Sequence, residues 1–239
     1  SGQTMKALHS ILIFLGLLSL ILIGLSGPLY QLEWLTLGGA FTLLRWAVYL
    51  AIGAGILNII ALFVRRPKGA RAGLSVLAII AAFIAFYLPY TQYQTATSVP
   101  PIHDISTDTV NPPEFVAIAP LRANAPNPVE YAGEETAKQQ KEAYPDITTY
   151  VSSKSPDELY QQALTVAKNM GWEIIDTSDE QHRIEATATT TWFGFKDDVV
   201  IRIQAQNDET LLDIRSKSRV GRSDVGKNAE RIRSFLSQL

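Results

Sequence analysis

Hydrophobic and polar positions divide the chain into two regimes. Through the first 95 residues apolar side chains follow one another almost without interruption, broken by short polar or glycine-rich joints. Three runs, at residues 7–26, 40–64 and 72–90, have the length of about 20 residues that a helix rising about 1.5 Å per residue needs to cross a bilayer. Further on, the pattern becomes alternation. Ile184, Ala186 and Ala188 alternate with Arg183, Glu185 and Thr187, and Val199, Ile201 and Ile203 with Arg202 and Gln204. Leu212 and Ile214 likewise oppose Asp213, Arg215, Lys217 and Arg219. Period two of this kind predicts antiparallel strands with one buried face and one facing solvent.

Helix signals frame these strands. Ser155-Pro156-Asp157-Glu158 reads as a cap, a proline at the first helical position and two acids at the positive end of the dipole. That helix runs to Met170 with Leu159, Ala163, Val166 and Ala167 on one stripe, and Gly171 ends it. A short polar helix is expected at 133–144 and a strand at 147–151. Four strands follow at 172–177, 182–191, 198–206 and 211–220. A last helix at 225–239, capped by Ser223 or Asp224, carries Ile232, Phe235, Leu236 and Leu239 on its apolar stripe. The order β-α-β-β-β-β-α predicts an α+β domain, a twisted antiparallel sheet with helices on one side in a TBP-like layout.

Between the regimes lies a proline-rich stretch with Pro100-Pro101, Pro112-Pro113, Pro120, Pro126 and Pro128, which disfavours helix. Its segment Ile102-His103-Asp104-Ile105-Ser106-Thr107-Asp108 mixes apolar anchors with polar groups, unlike a flexible spacer, and is expected to lie against the folded domain. The organisation is therefore a three-span anchor at 1–95, an extended tether at 96–130 and a soluble domain at 131–239.

Charge orients the anchor. Arg65, Arg66, Lys68 and Arg71 crowd the joint between the second and third runs without an acid, which predicts a cytoplasmic hairpin. The N-terminus with Lys6 is then inside and everything after Thr91 outside, so in a bacterium the soluble domain is periplasmic and the protein a multi-pass component of the inner membrane. Gly24, Gly27 and Pro28 are expected to end the first span. That span reads as uncleaved, since no A-x-A-like site follows it. Arg45, the one charge inside the spans, is placed to reach the interface. Gly38, Gly39, Gly53 and Gly55 would permit close helix approach, within the anchor, in a homo-oligomer or against subunits of a larger membrane complex. The chain has no cysteine, which excludes disulfides and thiolate sites. From residue 98 onward 15 cations face 22 acids, a net charge of −7 that excludes general nucleic-acid binding.

Candidate chemistry concentrates late in the chain. Arg215, Lys217 and Arg219 share a strand face, and Arg222, Ser223 and Asp224 precede a helix, with Ser216 and Ser218 between them. Such a cluster suits an anionic ligand or a protein partner; cross-strand pairing with Glu185, Asp198 or Asp213 is the structural alternative. His103 and Asp104 could meet Asp197 and Asp198 as an acid–base group if the tether folds back, although one histidine with scattered acids is a weak metal signal. Trp192, Phe193 and Phe195 form an aromatic lip, expected to pack on the tether or to meet the membrane surface or a partner. No nucleophile elbow, phosphate loop, zinc motif or dinucleotide fingerprint is present, and no cofactor is expected.

His103-Asp104-Ile105, Pro112-Pro113, Tyr144-Pro145-Asp146, the run from Trp192 to Asp198, Asp213-Ile214-Arg215-Ser216 and the run from Ser218 to Asp224, with Gly226 and Asn228, together resemble the bacterial family called domain of unknown function 1499. The resemblance covers about residue 100 to the C-terminus and implies a membrane-anchored architecture without an established activity. The expected function is a non-enzymatic inner-membrane protein whose periplasmic domain binds a protein partner or an anionic small ligand, as an accessory subunit of a larger complex. The alternative is a hydrolase or isomerase acting on a lipid or cell-envelope component through His103 with Asp197 or Asp198.

Overall fold

The computed structural model describes residues 2–239, in two compact units. One comprises the chain up to Gln94 together with Trp192–Gly194, the other Thr95–Thr191 and Phe195–Leu239.

The first unit is built on helices α1 (Gly2–Gln31), α2 (Leu37–Arg65) and α3 (Ala70–Ser98). All three are long and apolar enough to cross a membrane, which makes this a multi-pass membrane protein by length and composition. Small residues occupy their contacts, among them Ala47, Ala51, Ala78, Ala82 and Ala85, while Phe14, Trp46, Phe63 and Phe83 point outward. Lipid tails are as apolar as leucine, so close backbone approach rather than hydrophobic burial holds such helices together. Gly16 illustrates the fit: a Cβ there would stand 3.0 Å from the Cβ and carbonyl oxygen of Ala78. Of the four glycines singled out in the second span, Gly55 lies against Ala82, whereas Gly38 and Gly53 face open space.

Helix α1 does not stop at Pro28 but continues to Gln31. Proline has no N–H to donate to the carbonyl four residues back, here that of Gly24, and this usually breaks a helix. The Gly24 carbonyl instead accepts the indole N–H of Trp192 at 3.1 Å, within the same unit.

In the second unit, β3 (Glu173–Ser178), β4 (Arg183–Thr189), β5 (Lys196–Gln206) and β6 (Glu209–Ser218) form an antiparallel meander. The far edge of β6 pairs with two short strands, β1 (Asp104–Ser106) and β2 (Tyr150–Ser152). The result is an open six-stranded antiparallel sheet. Strand β1 lies inside the stretch read as tether, and the strand expected at 147–151 forms only at 150–152. Beyond β1, helix α4 (Glu134–Ala143) supplies Gln140, whose side-chain amide accepts from Ser106 N at 3.0 Å and donates to Ser106 O at 2.7 Å. One side chain thus satisfies backbone groups that a further strand would otherwise take.

Helices α5 (Pro156–Asn169) and α6 (Lys227–Leu236) pack on one face of the sheet. Leu159, Ala163 and Val166 of α5 and Ala229, Ile232 and Phe235 of α6 meet Ile184, Val199, Ile201, Leu212 and Ile214 in the main core. Ser155 caps α5 in a full capping box: its side chain accepts from Glu158 N, and Glu158 returns a carboxylate to Ser155 N.

The opposite face is not solvated. Arg215, Lys217, Asp198 and Glu185 lie on it as the alternation predicts, yet all four are buried. Residues 107–131 cover them, laying down a small apolar patch of Phe115 and Ile118 on Val200. The physical reason is charge pairing: each polar group of the sheet finds a complementary group in the cover, so burial leaves few polar groups unmatched.

Candidate functional site

The corner where β1, β6 and β5 run side by side collects most of the residues singled out in the sequence. Register places Asp104 opposite Lys217, and Lys217 opposite Asp198. Asp104 accepts from Arg215 Nε at 2.9 Å and Nη2 at 3.0 Å, a bidentate pair, and lies 3.2 Å from Lys217 Nζ. Asp198 accepts from Arg219 Nε and Nη2, both at 2.8 Å, from Arg122 Nη1 at 2.8 Å and from Thr187 Oγ1 at 2.7 Å. Both carboxylates are fully buried. Lys217 also donates to the carbonyl of Glu130, and burial lowers its pKa against the opposing pull of Asp104. The guanidinium of Arg215 lies 4.9 Å from the centre of the Phe115 ring, so an aromatic face from the cover completes its surroundings.

On the helix side of the same strands a second polar group ties α6 to the sheet. Ser216 Oγ donates to Asn228 Oδ1 at 2.6 Å, and Asn228 Nδ2 donates to Ser218 Oγ at 3.0 Å and to the His103 carbonyl at 3.1 Å. Arg231 bridges Asn228, Ser216 and, at 2.7 Å, Asp197. Asp224 accepts from Gly226 N at 2.7 Å and Asn228 N at 3.1 Å, so it does serve the start of α6, although the helix begins at Lys227. Burial raises the Asp224 pKa and those backbone N–H groups oppose the shift. Ser223 Oγ accepts from Val225 N. His103 Nδ1 donates to the carbonyl of Arg222 at 3.0 Å, so this ring nitrogen meets a backbone group rather than a carboxylate. The Arg222 side chain is exposed and has no ion pair among the described residues. Nor, among the described residues, do three histidine or carboxylate side chains converge as metal ligands do.

The aromatic lip is elsewhere. Trp192 and Phe193 belong to the helical unit, not to the tether. Phe193 is buried between the rings of Tyr30 and Phe41, each with its centre 5.9 Å away. Gln31 Nε2 donates to the Trp192 carbonyl at 2.5 Å. Gly27 makes the seat: a Cβ there would fall 2.3 Å from the Trp192 carbonyl oxygen. Phe195 closes its own turn, where its N–H donates to Thr190 Oγ1 and its carbonyl accepts from Thr190 N, each at 2.9 Å.

Several residues central to these networks carry little signal in the sequence. Arg122 donates to Asp198 and to three carbonyls, yet it sits alone in the proline-rich stretch. Glu185 accepts from the consecutive N–H groups of Val116, Ala117 and Ile118 at 2.8 to 3.0 Å, an anion nest made by the cover. In the helical unit, buried His9 is hydrogen-bonded to Ser75 Oγ at 2.8 Å, and Asn58 donates to the Leu12 and Ala54 carbonyls while its Oδ1 is left without a partner. The signal for His9 and Asn58 was available: they are polar residues inside otherwise apolar spans.

The model of the family described as "Protein of unknown function (DUF1499)" matches residues 104–239, more than half of the chain, and the chain belongs to that family. A search of curated proteins finds no match.

Proposed function

We propose that this member of the DUF1499 family is a non-enzymatic protein of the bacterial inner membrane whose α+β domain faces the periplasm and binds a protein partner, as an accessory subunit of a larger membrane complex. The observation that carries the reading is the internal neutralisation of the cation cluster. Arg215 is held by Asp104 and Arg219 by Asp198, both carboxylates being fully buried. A ligand anion would have to displace a built-in carboxylate at each, and a catalytic acid or base would have to be freed from one. Charges that are paired in this way hold the cover on the sheet and rigidify the exposed surface above them rather than react. The basic hairpin of Arg65, Arg66, Lys68 and Arg71 supports the orientation.

A second reading, an anionic ligand, rests on a different place. A shallow cleft of about 270 Å³ beside α6 is lined by Lys227, Arg231, Thr189, Ser234 and Trp172. Lys227 and Arg231 sit one turn apart near a helix start, where an anion is favoured; Glu230 also lines the cleft and pairs with Lys227 at the exposed surface, while Arg231 already pairs with Asp197.

Photo-crosslinking in native membranes tests the partner reading. A photoreactive residue at Arg222 or Leu121, both exposed, is expected to give a discrete adduct with one other membrane-complex subunit or a second copy of the chain. No adduct at either position, with the chain purifying alone in mild detergent, would overturn it.

A further inference from the structure

Away from the corner just described, the covered face of the sheet sets two arginines against each other: Arg183 of β4 is the direct cross-strand partner of Arg202 of β5. Like charges at such positions repel, so each must be compensated. Arg183 donates to Asp176 at 3.0 Å and to Gln181. Arg202 donates to Asp108 at 3.1 Å, Asp213 at 3.0 Å and the Asn111 carbonyl at 3.0 Å. On each guanidinium these bonds use only Nη groups. Both Nε atoms are buried without a hydrogen bond, the Nε of Arg183 lying 3.0 Å from Glu185 Oε1 but out of line for one. These Nε atoms are closed to solvent, so it is the outer Nη groups and the stems of the two arginines that can face a neighbouring space.

Both arginines line the same cleft, about 300 Å³ in volume, at the small end of the range of about 300–1,000 Å³ typical of ligand pockets. Gln181, Gln204 and Glu114 stand around it with the apolar ring of Pro113. The cleft therefore offers N–H donors, amide groups that both donate and accept, a carboxylate acceptor and an apolar surface. Charge then selects among ligands. Asp108, Asp176, Asp213 and Glu185 surround the two cations, so an entering anion would meet more negative than positive charge. A hydroxyl group, uncharged and able both to donate and to accept, matches the lining.

We propose that this cleft binds an uncharged polyhydroxyl ligand of monosaccharide size, either a free sugar or the terminal sugar of a glycan. The site is separate from the proposed partner surface and stands or falls without it.

The test uses the full chain in nanodiscs or a detergent without a sugar head group. Saturation-transfer NMR is run with glucose, N-acetylglucosamine and the disaccharide of the latter, and with phosphate and acetate as anionic probes. At least one sugar is expected to bind and neither anion to compete. Preference for the disaccharide would assign the ligand to a glycan, and equal binding to a free sugar. Arg202→Lys keeps the charge beside Asp108 and Asp213 but removes the planar fork of Nη donors, and is expected to weaken binding at least about tenfold. Gln204→Ala, at an exposed position that leaves the fold intact, is expected to weaken it severalfold. Absence of binding by every sugar, binding of phosphate or acetate in their place, or sugar binding unchanged in Gln204→Ala would overturn the proposal.

Discussion

Asp198 shows how much one side chain can organise: two arginines and a threonine donate to it in a space closed to water. Replacing it by asparagine leaves Arg122 and Arg219 short of a counter-charge, and breaking a buried pair from one side typically costs about 3–5 kcal/mol. Chemical denaturation of Asp198→Asn is expected to register a loss of that order; a change within about 0.5 kcal/mol would mean the pair does not hold the cover down. Tyr131 makes the opposite case. Its hydroxyl is buried without a hydrogen bond, and burial, then the nearby Asp104 charge, pushes its pKa up to about 12. A folded pKa above the ordinary tyrosine value of about 10 favours the protonated form. The stability it contributes is complete below about pH 10 and is lost as the pH rises towards 12. Burial also raises the pKa of Tyr144 and Tyr160, so ultraviolet titration should find at least one tyrosine ionising near that value, and Tyr131→Phe should reduce the alkaline loss while changing neutral stability little. At this scale the sequence identified which residues were unusual, Asp104, Asp198, Arg215 and Arg219 among them, and offered Asp198 as a partner for the cations, but it did not offer Asp104 for Arg215 or Arg122 for Asp198. Arg122 is an isolated cation in the chain and the centre of a network in the fold.

Helix α5 was legible nearly to the residue because capping and stripe depend on neighbours three and four positions apart. The strand faces were legible for the same reason, since side chains alternate whatever lies above them. The end of α1 was not. Pro28 predicts a break, yet the helix continues past it, and the Gly24 carbonyl that the proline leaves free takes a hydrogen bond from a residue 168 positions away. The seat of Trp192 in the helical unit also requires Gly27. Gly27→Leu is expected to expel residues 192–194, raising their amide exchange by at least about tenfold while β6 remains protected. Trp192→Phe, which keeps a ring but loses the indole N–H, should give a smaller rise in the same direction. Unchanged exchange in both would show that the seat is incidental.

For the molecule as a whole, orientation is the property on which the compartment of any ligand or partner depends. The chain lacks cysteine, so single substitutions report cleanly. In intact spheroplasts a membrane-impermeant maleimide is expected to label Ser237→Cys and to spare Lys68→Cys, which should react only after the membrane is opened. The reverse pattern would put the α+β domain in the cytosol and move every proposed partner with it. What the sequence determined alone is whatever rests on local order: three apolar runs, a basic hairpin between two of them, a capped helix and strands with one polar and one apolar face. Tertiary structure alone decided that the polar face is interior. Asp104 and Arg215 are 111 positions apart and Arg122 and Asp198 are 76 apart. Periodicity tells which way a side chain points, but whether water or another stretch of chain stands opposite depends on the path of the backbone, and no local pattern records that path.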